Sequence, residues 1–170
     1  MSDAPEPLFD ADLPEQMRVR TDKRERLLQR GLEAYPITVE RTHSLAEVRE
    51  AYDAAELGPD ARTGTVVAVT GRVIFLRNTG RLCFARLREG DGTELQAMFS
   101  EAELGEDSLA DFKALVDIGD HLAVRGEVVT SRRGELSIQA TSWRMAAKAL
   151  RPDARAVLVV KPASEGNNEQ

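Results

Sequence analysis

The sequence predicts a mainly β fold, a closed five-stranded barrel with flanking helices. Three observations point there. Five segments between Gly64 and Met145 carry the alternation or β-branched enrichment of strands, and a helix-period stretch falls between the third and the fourth. Glycine-bearing turns, "GDG" and "RRG", join two of the neighbouring strand pairs as hairpins. The 170 residues, 42% hydrophobic and 31% charged, suit one compact domain with polar extensions better than two domains.

Residues 1–13 ("MSDAPEPLFDADL") are acidic and proline-bearing and read as a disordered leader. Residues 14–63 form an N-terminal helical extension. Its first helix opens at Pro14 and stops at Gly31, with a thin apolar stripe of Met17, Leu27 and Leu28. A second helix starts at the capping box of Ser44 and Glu47, places Leu45, Val48, Tyr52 and Ala55 at helical spacing, and ends at Gly58.

The barrel is expected over residues 64–152. "TVVAVTGRVIFL" is a long first strand whose Gly71 permits a bend, so one strand serves two sides. Arg81–Arg88 and Thr93–Phe99 follow as a hairpin. Ser100, Glu103, Ser108 and Asp111 mark helix starts before Leu109, Phe112, Leu115 and Val116. "HLAVRGEVVTS" and "ELSIQATSWRM" close the set as a second hairpin. Strand, strand, strand, helix, strand, strand is the layout of an OB-fold, which binds oligonucleotides on the face of its second and third strands. Residues 153–170 read as a disordered tail.

Alternation also predicts a recognition face. If Cys83, Ala85 and Leu87 point into the core, then Leu82, Phe84, Arg86 and Arg88 point out. On the next strand, Leu95, Ala97 and Phe99 point inward and leave Glu94, Gln96 and Met98 outside. An exposed aromatic ring beside arginines is a stacking platform, worth about 1–3 kcal/mol per base. Gln96, next to it, offers both a donor and an acceptor to a base edge. Phe84 otherwise caps an apolar patch under the first helix. Arg77 shares parity with Val73 and Phe75 and turns inward unless the bend or the strand end rotates it.

Net charge is −6, which argues against a protein that coats nucleic acid indiscriminately. Its distribution is uneven. Arg72, Arg77, Arg81, Arg86 and Arg88 fall in a stretch without acids, whereas Glu89 to Asp120 holds ten acids and one base. Arg81, Arg86 and Arg88 are expected to position a phosphate backbone rather than read bases. A lone cysteine excludes an internal disulfide. No signal-peptide pattern and no apolar run of roughly 18 residues occurs, so a cytoplasmic setting without a membrane partner is expected. His43, His121 and Cys83 lack companion metal ligands, and no catalytic triad or phosphate-cradling loop is visible, so neither a cofactor nor a metal is expected.

"MRVRTDKRERLLQRGLEAYP", "RTHSLAEVREAY", "VTGRVIFLRNTGRLCFARLREGDGTELQAMF" and "DIGDHLAVRGEVVTSRRGELSIQATSWRMAAKALRP" together resemble the amino-terminal anticodon-binding region of bacterial class II lysyl-tRNA synthetases, over about Glu15–Pro152. The resemblance implies that Phe84 stacks on an anticodon base and that Arg77 and Gln96 hydrogen-bond to a uracil-rich anticodon. It also implies that Glu135 of "GELS" contacts a further anticodon base; on residue grounds alone, Glu135 equally balances Arg132 or Arg133. The implied partner is the anticodon loop of a lysine tRNA or another single-stranded RNA.

In that family "KALRP" leads into a catalytic domain, but here Pro152 is followed by eighteen residues, too few for a second core, which usually takes more than about 40. The expectation is therefore a chain that is not itself an enzyme. It is a free-standing relative of the recognition domain, an accessory or regulatory subunit of a separately encoded lysine–tRNA ligase, or a truncated synthetase without retained activity; its distinct tail favours a complete natural chain.

Overall fold

A computed structural model describes residues 15–32, 34–35, 39–150 and 161–162. The expected leader 1–13 lies outside these residues, as does the expected tail 153–170 apart from a two-residue strand. The elements in order are α1 (Glu15–Gln29), β1 (Glu40–Arg41), α2 (Leu45–Ala51), α3 (Ala54–Leu57), β2 (Arg62–Asn78), β3 (Leu82–Arg88), β4 (Glu94–Ser100), α4 (Glu101–Leu104), α5 (Glu106–Leu115), β5 (His121–Thr130), β6 (Leu136–Ala147) and β7 (Lys161–Pro162).

The strands β2-β3-β4-β6-β5 close into a barrel, which is the expected five-stranded architecture, while β1 pairs with β7 in parallel. β2 serves two sides: Arg62 to Arg72 pair with β5, and Arg72 to Asn78 pair with β3. Its turn from one partner to the other needs Gly71, where a Cβ would lie 2.8 Å from the Cβ of Leu87. A second irregularity follows at once. The ladder slips between Val73, opposite Leu87, and Phe75, opposite Arg86, leaving Ile74 as an extra residue. Such a bulge inverts the parity of everything after it.

Inward residues of all five strands form the core, including Val69, Leu87, Leu95, Leu122 and Ile138, each essentially inaccessible. α5 seals one end. Phe112 stacks on Phe99 at 4.0 Å between centroids and meets Trp143 edge-on at 5.6 Å. Trp143, whose facing alternation leaves open, is thus fixed against α5 and donates to the Ser108 carbonyl.

The helical extension differs from expectation in one respect. Ser44 accepts from the Glu47 amide at 3.0 Å as the capping box requires, but the helix breaks at Tyr52. There the Asp53 carboxylate accepts from the Ala55 amide and starts α3 afresh. α1 lies against the α5 side of the barrel. Leu27 is buried, Lys23 reaches Asp117 at 2.5 Å and Arg30 pairs with Asp111, while Val19 and Leu28 stay exposed. Below α1, the fully buried Lys148 ammonium bonds to Asp120 at 2.6 Å and to Asp117 at 2.7 Å. Among the described residues no helix is long and apolar enough to cross a membrane.

Candidate nucleic-acid interface

The outer face of β2, β3 and β4, with the β5–β6 turn, walls an open groove of about 860 Å³. Phe84, Arg86 and Gln96 face it because Cys83, Ala85, Leu87, Leu95 and Ala97 take the core side, as alternation predicts. Arg77 also lines the groove, and the bulge at Ile74 is the reason: with one extra residue, Arg77 falls opposite Phe84 rather than inside the barrel. Its guanidinium carbon stands 4.5 Å from the Phe84 ring centroid. Met98 shares this face but is only 8% exposed, so it forms the groove floor rather than a free surface.

Gln96 is held in a defined orientation. Its Nε2 donates to Ser137 Oγ at 3.1 Å, and Ser137 Oγ donates to the Glu135 carbonyl at 3.0 Å. Because that hydroxyl has spent its proton on the carbonyl, it can only accept from Gln96, which fixes the amide nitrogen toward Ser137. The Gln96 oxygen has no donor among the described residues and remains available as an acceptor.

Glu135 lies in the same groove, partnered neither by Arg132 nor by Arg133 but by Arg86, at 3.0 Å. Arg86 also reaches Glu94 at 3.6 Å, and Arg88 meets Glu94 at 2.5 Å. The hydrogen bond from Arg88 is the main cause that holds the Glu94 carboxyl below its ordinary range. The arginine run is therefore less free in the fold than in the sequence, since acids from β4 and the β5–β6 turn neutralise two of its members. Arg88 and Arg81 do not line the groove, whereas Arg132 and Arg133 do, exposed and without an ion pair among the described residues.

Phe75 is the residue that sequence reasoning misses. The same bulge turns it outward, where it is 49% exposed and lines the groove. The available signal was the Gly71 irregularity, which showed that parity could shift along this strand but not where. Elsewhere, His121 is half-buried with its Nδ1 unpartnered, and burial, aided by Arg72, pulls its pKa down. Burial pushes the Cys83 thiol up. No group of three His, Cys, Asp or Glu side chains able to hold a metal occurs among the described residues.

A family model described as the OB-fold nucleic acid binding domain matches residues 67–146, which run from the core-facing start of β2 nearly to the end of β6. The chain is 60% identical over 141 residues to a lysine–tRNA ligase of Mycolicibacterium gilvum, a match covering 83% of this chain and 28% of that protein. It is 57% identical over 152 residues to a lysine–tRNA ligase of Kineococcus radiotolerans, covering 89% and 30%. A more distant match, 37% over 140 residues, is to a lysylphosphatidylglycerol biosynthesis bifunctional protein of Mycobacterium ulcerans, covering 82% and 12%. The chain thus spans less than a third of the length of these relatives.

Proposed function

From the premise that this chain belongs, through residues 67–146, to the anticodon family of OB-fold nucleic acid binding domains, we propose that its groove binds the uracil-rich anticodon loop of a lysine tRNA. The observation that carries the reading is the juxtaposition of the Phe84 ring, the oriented Gln96 amide and the Glu135 carboxylate in one groove. The ring grips a base by stacking, and the amide identifies it. Uracil presents an N–H between two carbonyl oxygens, so it gives a proton to the Gln96 oxygen and takes one from the second amide hydrogen. Cytosine presents an acceptor at that ring nitrogen and would set it against the Gln96 oxygen; Ser137 opposes the flip that would relieve the clash. In this reading Glu135 accepts from a neighbouring base, supported by the Arg86 ion pair that steadies its carboxylate. The identity of the relatives as lysine–tRNA ligases supports the choice of tRNA, and no ligation chemistry is assigned to this chain.

The test is binding of two stem-loops, one with a UUU loop and one with its middle uracil replaced by cytosine, at several salt concentrations. Gln96→Ala lowers the preference for uracil by about 1–3 kcal/mol and leaves the salt dependence unchanged, because no charge is lost. Ser137→Ala frees the amide to flip and narrows the same preference without abolishing binding. If neither substitution changes the preference, Gln96 does not read the base and the groove is a general single-strand site.

A second reading, docking on a separately encoded catalytic chain, draws on α1, whose Val19 and Leu28 are exposed. Recovery of a lysine–tRNA ligase with the purified protein, lost on Val19→Glu, would favour it.

A further inference from the structure

We infer that Phe75 is a second stacking platform, so that the groove seats two adjacent, mutually unstacked bases of a single-stranded RNA, one on Phe84 and one on Phe75. The inference rests on the reading of the groove as an RNA site. Of the large apolar side chains that are exposed among the described residues, Phe75 alone lines the groove. It reaches that face only because Ile74 is an extra residue in β2, and the same bulge delivers Arg77. Phe75 pairs across the ladder with Arg86 and Arg77 pairs with Phe84, so the two rings are diagonal neighbours on adjacent antiparallel strands. Residues at such positions stand about 7–8 Å apart, a spacing that successive nucleotides of one strand can span, and no ring contact joins Phe75 to Phe84 among the described residues.

The two rings differ in cover. Arg77 lies over Phe84, while Phe75 has neither an aromatic nor a cationic partner among the described residues. Its cross-strand neighbour Arg86 is turned to Glu135 and Glu94 and leaves the ring open. Arg132 and Arg133, at the groove wall and without an ion pair among the described residues, supply the positive charge that a strand of phosphates requires and that an apolar partner protein would not. Bases splayed from one another and stacked singly on aromatic side chains are the usual mode of single-stranded RNA recognition.

The probe is a uridine-rich RNA hexamer and a set of the same hexamer with one abasic residue moved through each position. For the parent protein, abasic residues at two adjacent positions are expected to weaken binding by roughly five- to 150-fold each. Phe75→Ala is expected to weaken the intact hexamer to a similar degree and to make one of those positions silent. Phe75→Leu should behave like Phe75→Ala, and Phe75→Trp should restore binding and the sensitivity; circular dichroism confirms that each is folded, and Phe75→Leu decides if Phe75→Ala is not. Phe84→Ala, measured alongside, should silence the other position. Parental affinity in Phe75→Leu, or a loss equal for intact and abasic probes, overturns the second platform; if Phe84→Ala still weakens binding, the RNA reading of the groove stands. If neither ring matters, both readings fall.

Discussion

The guanidinium of Arg77 and the ring of Phe84 are direct cross-strand partners, with the guanidinium carbon 4.5 Å from the ring centroid. Ladder register, rather than a chance rotamer, brings them together, so a base that stacks on Phe84 meets a cation at the same spot. Phe84→Ala should weaken binding to a uracil-rich single strand by about 1–3 kcal/mol. The fold should survive, because this side chain lies on the groove face and not in the core. Equilibrium binding with circular dichroism checks both halves, and loss of cooperative unfolding would show that Phe84 is structural.

Salt dependence separates free from committed arginines. Arg132 has no carboxylate partner among the described residues, so Arg132→Ala should lower the slope of log affinity against log salt by about one unit and weaken all loops alike. Arg86 is committed to Glu135 and Glu94. Arg86→Ala should leave the slope nearly unchanged and instead blur base preference, since Glu135 loses its anchor. Titrations of two loop sequences over a salt series distinguish these outcomes, and a full unit lost in Arg86→Ala would place that side chain on phosphate.

His121 makes stability pH-dependent near neutrality. Burial, then the nearby Arg72, lowers its folded pKa below the ordinary value of about 6.5. As pH falls through 6.5 the unfolded chain takes up the proton first, so stability is full above that value and declines below it, toward the folded pKa. Melting temperature should fall over this window in the parent and fall less in His121→Gln. Parallel profiles for the two proteins would remove His121 as the cause.

Lys148 is a buried cation held by two carboxylates of unequal character. Burial opposes charge on Asp117, but the hydrogen bonds from Lys148 and Lys23 outweigh it and keep that carboxyl below the usual range. Burial pushes the Asp120 carboxyl upward, with Lys148 and two backbone amides opposing it. Lys148→Met strands Asp120 without its cation and should cost about 3–5 kcal/mol in urea denaturation. Adding Asp120→Asn should recover part of that loss. A Lys148→Met protein as stable as the parent would mean that Asp120 is already neutral.

Much of this was legible in the sequence because barrel strands advertise themselves by period two. The inward set on β3 and β4, and with it the outward Phe84 and Gln96, followed from alternation alone. Alternation could not place Arg77 or Phe75 on the groove, and only the family resemblance named Arg77, because a single extra residue at Ile74 leaves composition untouched while reversing every facing beyond it. The break at Tyr52 was hidden by helical spacing that runs on through Ala55, and a local cap at Asp53 overrode it. Nor could the run of arginines show its own neutralisation. Arg86 and Glu135 lie 49 positions apart, and only closure of the sheet brings them into contact.

That closure is slight. β4 and β6 meet through three residue pairs, Gln96 with Ser137, Ala97 with Ile138 and Met98 with Gln139. Two side-chain bonds continue it, Gln96 to Ser137 at one end and Gln139 to Ser100 at the other, both at 3.1 Å. The β2–β5 and β5–β6 ladders are much longer. The strands form a ring fastened by a short clasp, and Gln96, the residue proposed to read a base, is one of its hooks. Whatever lies across the groove from Gln96 to Glu135 lies across the fastening, so a strand seated there as proposed would span the shortest ladder of the barrel.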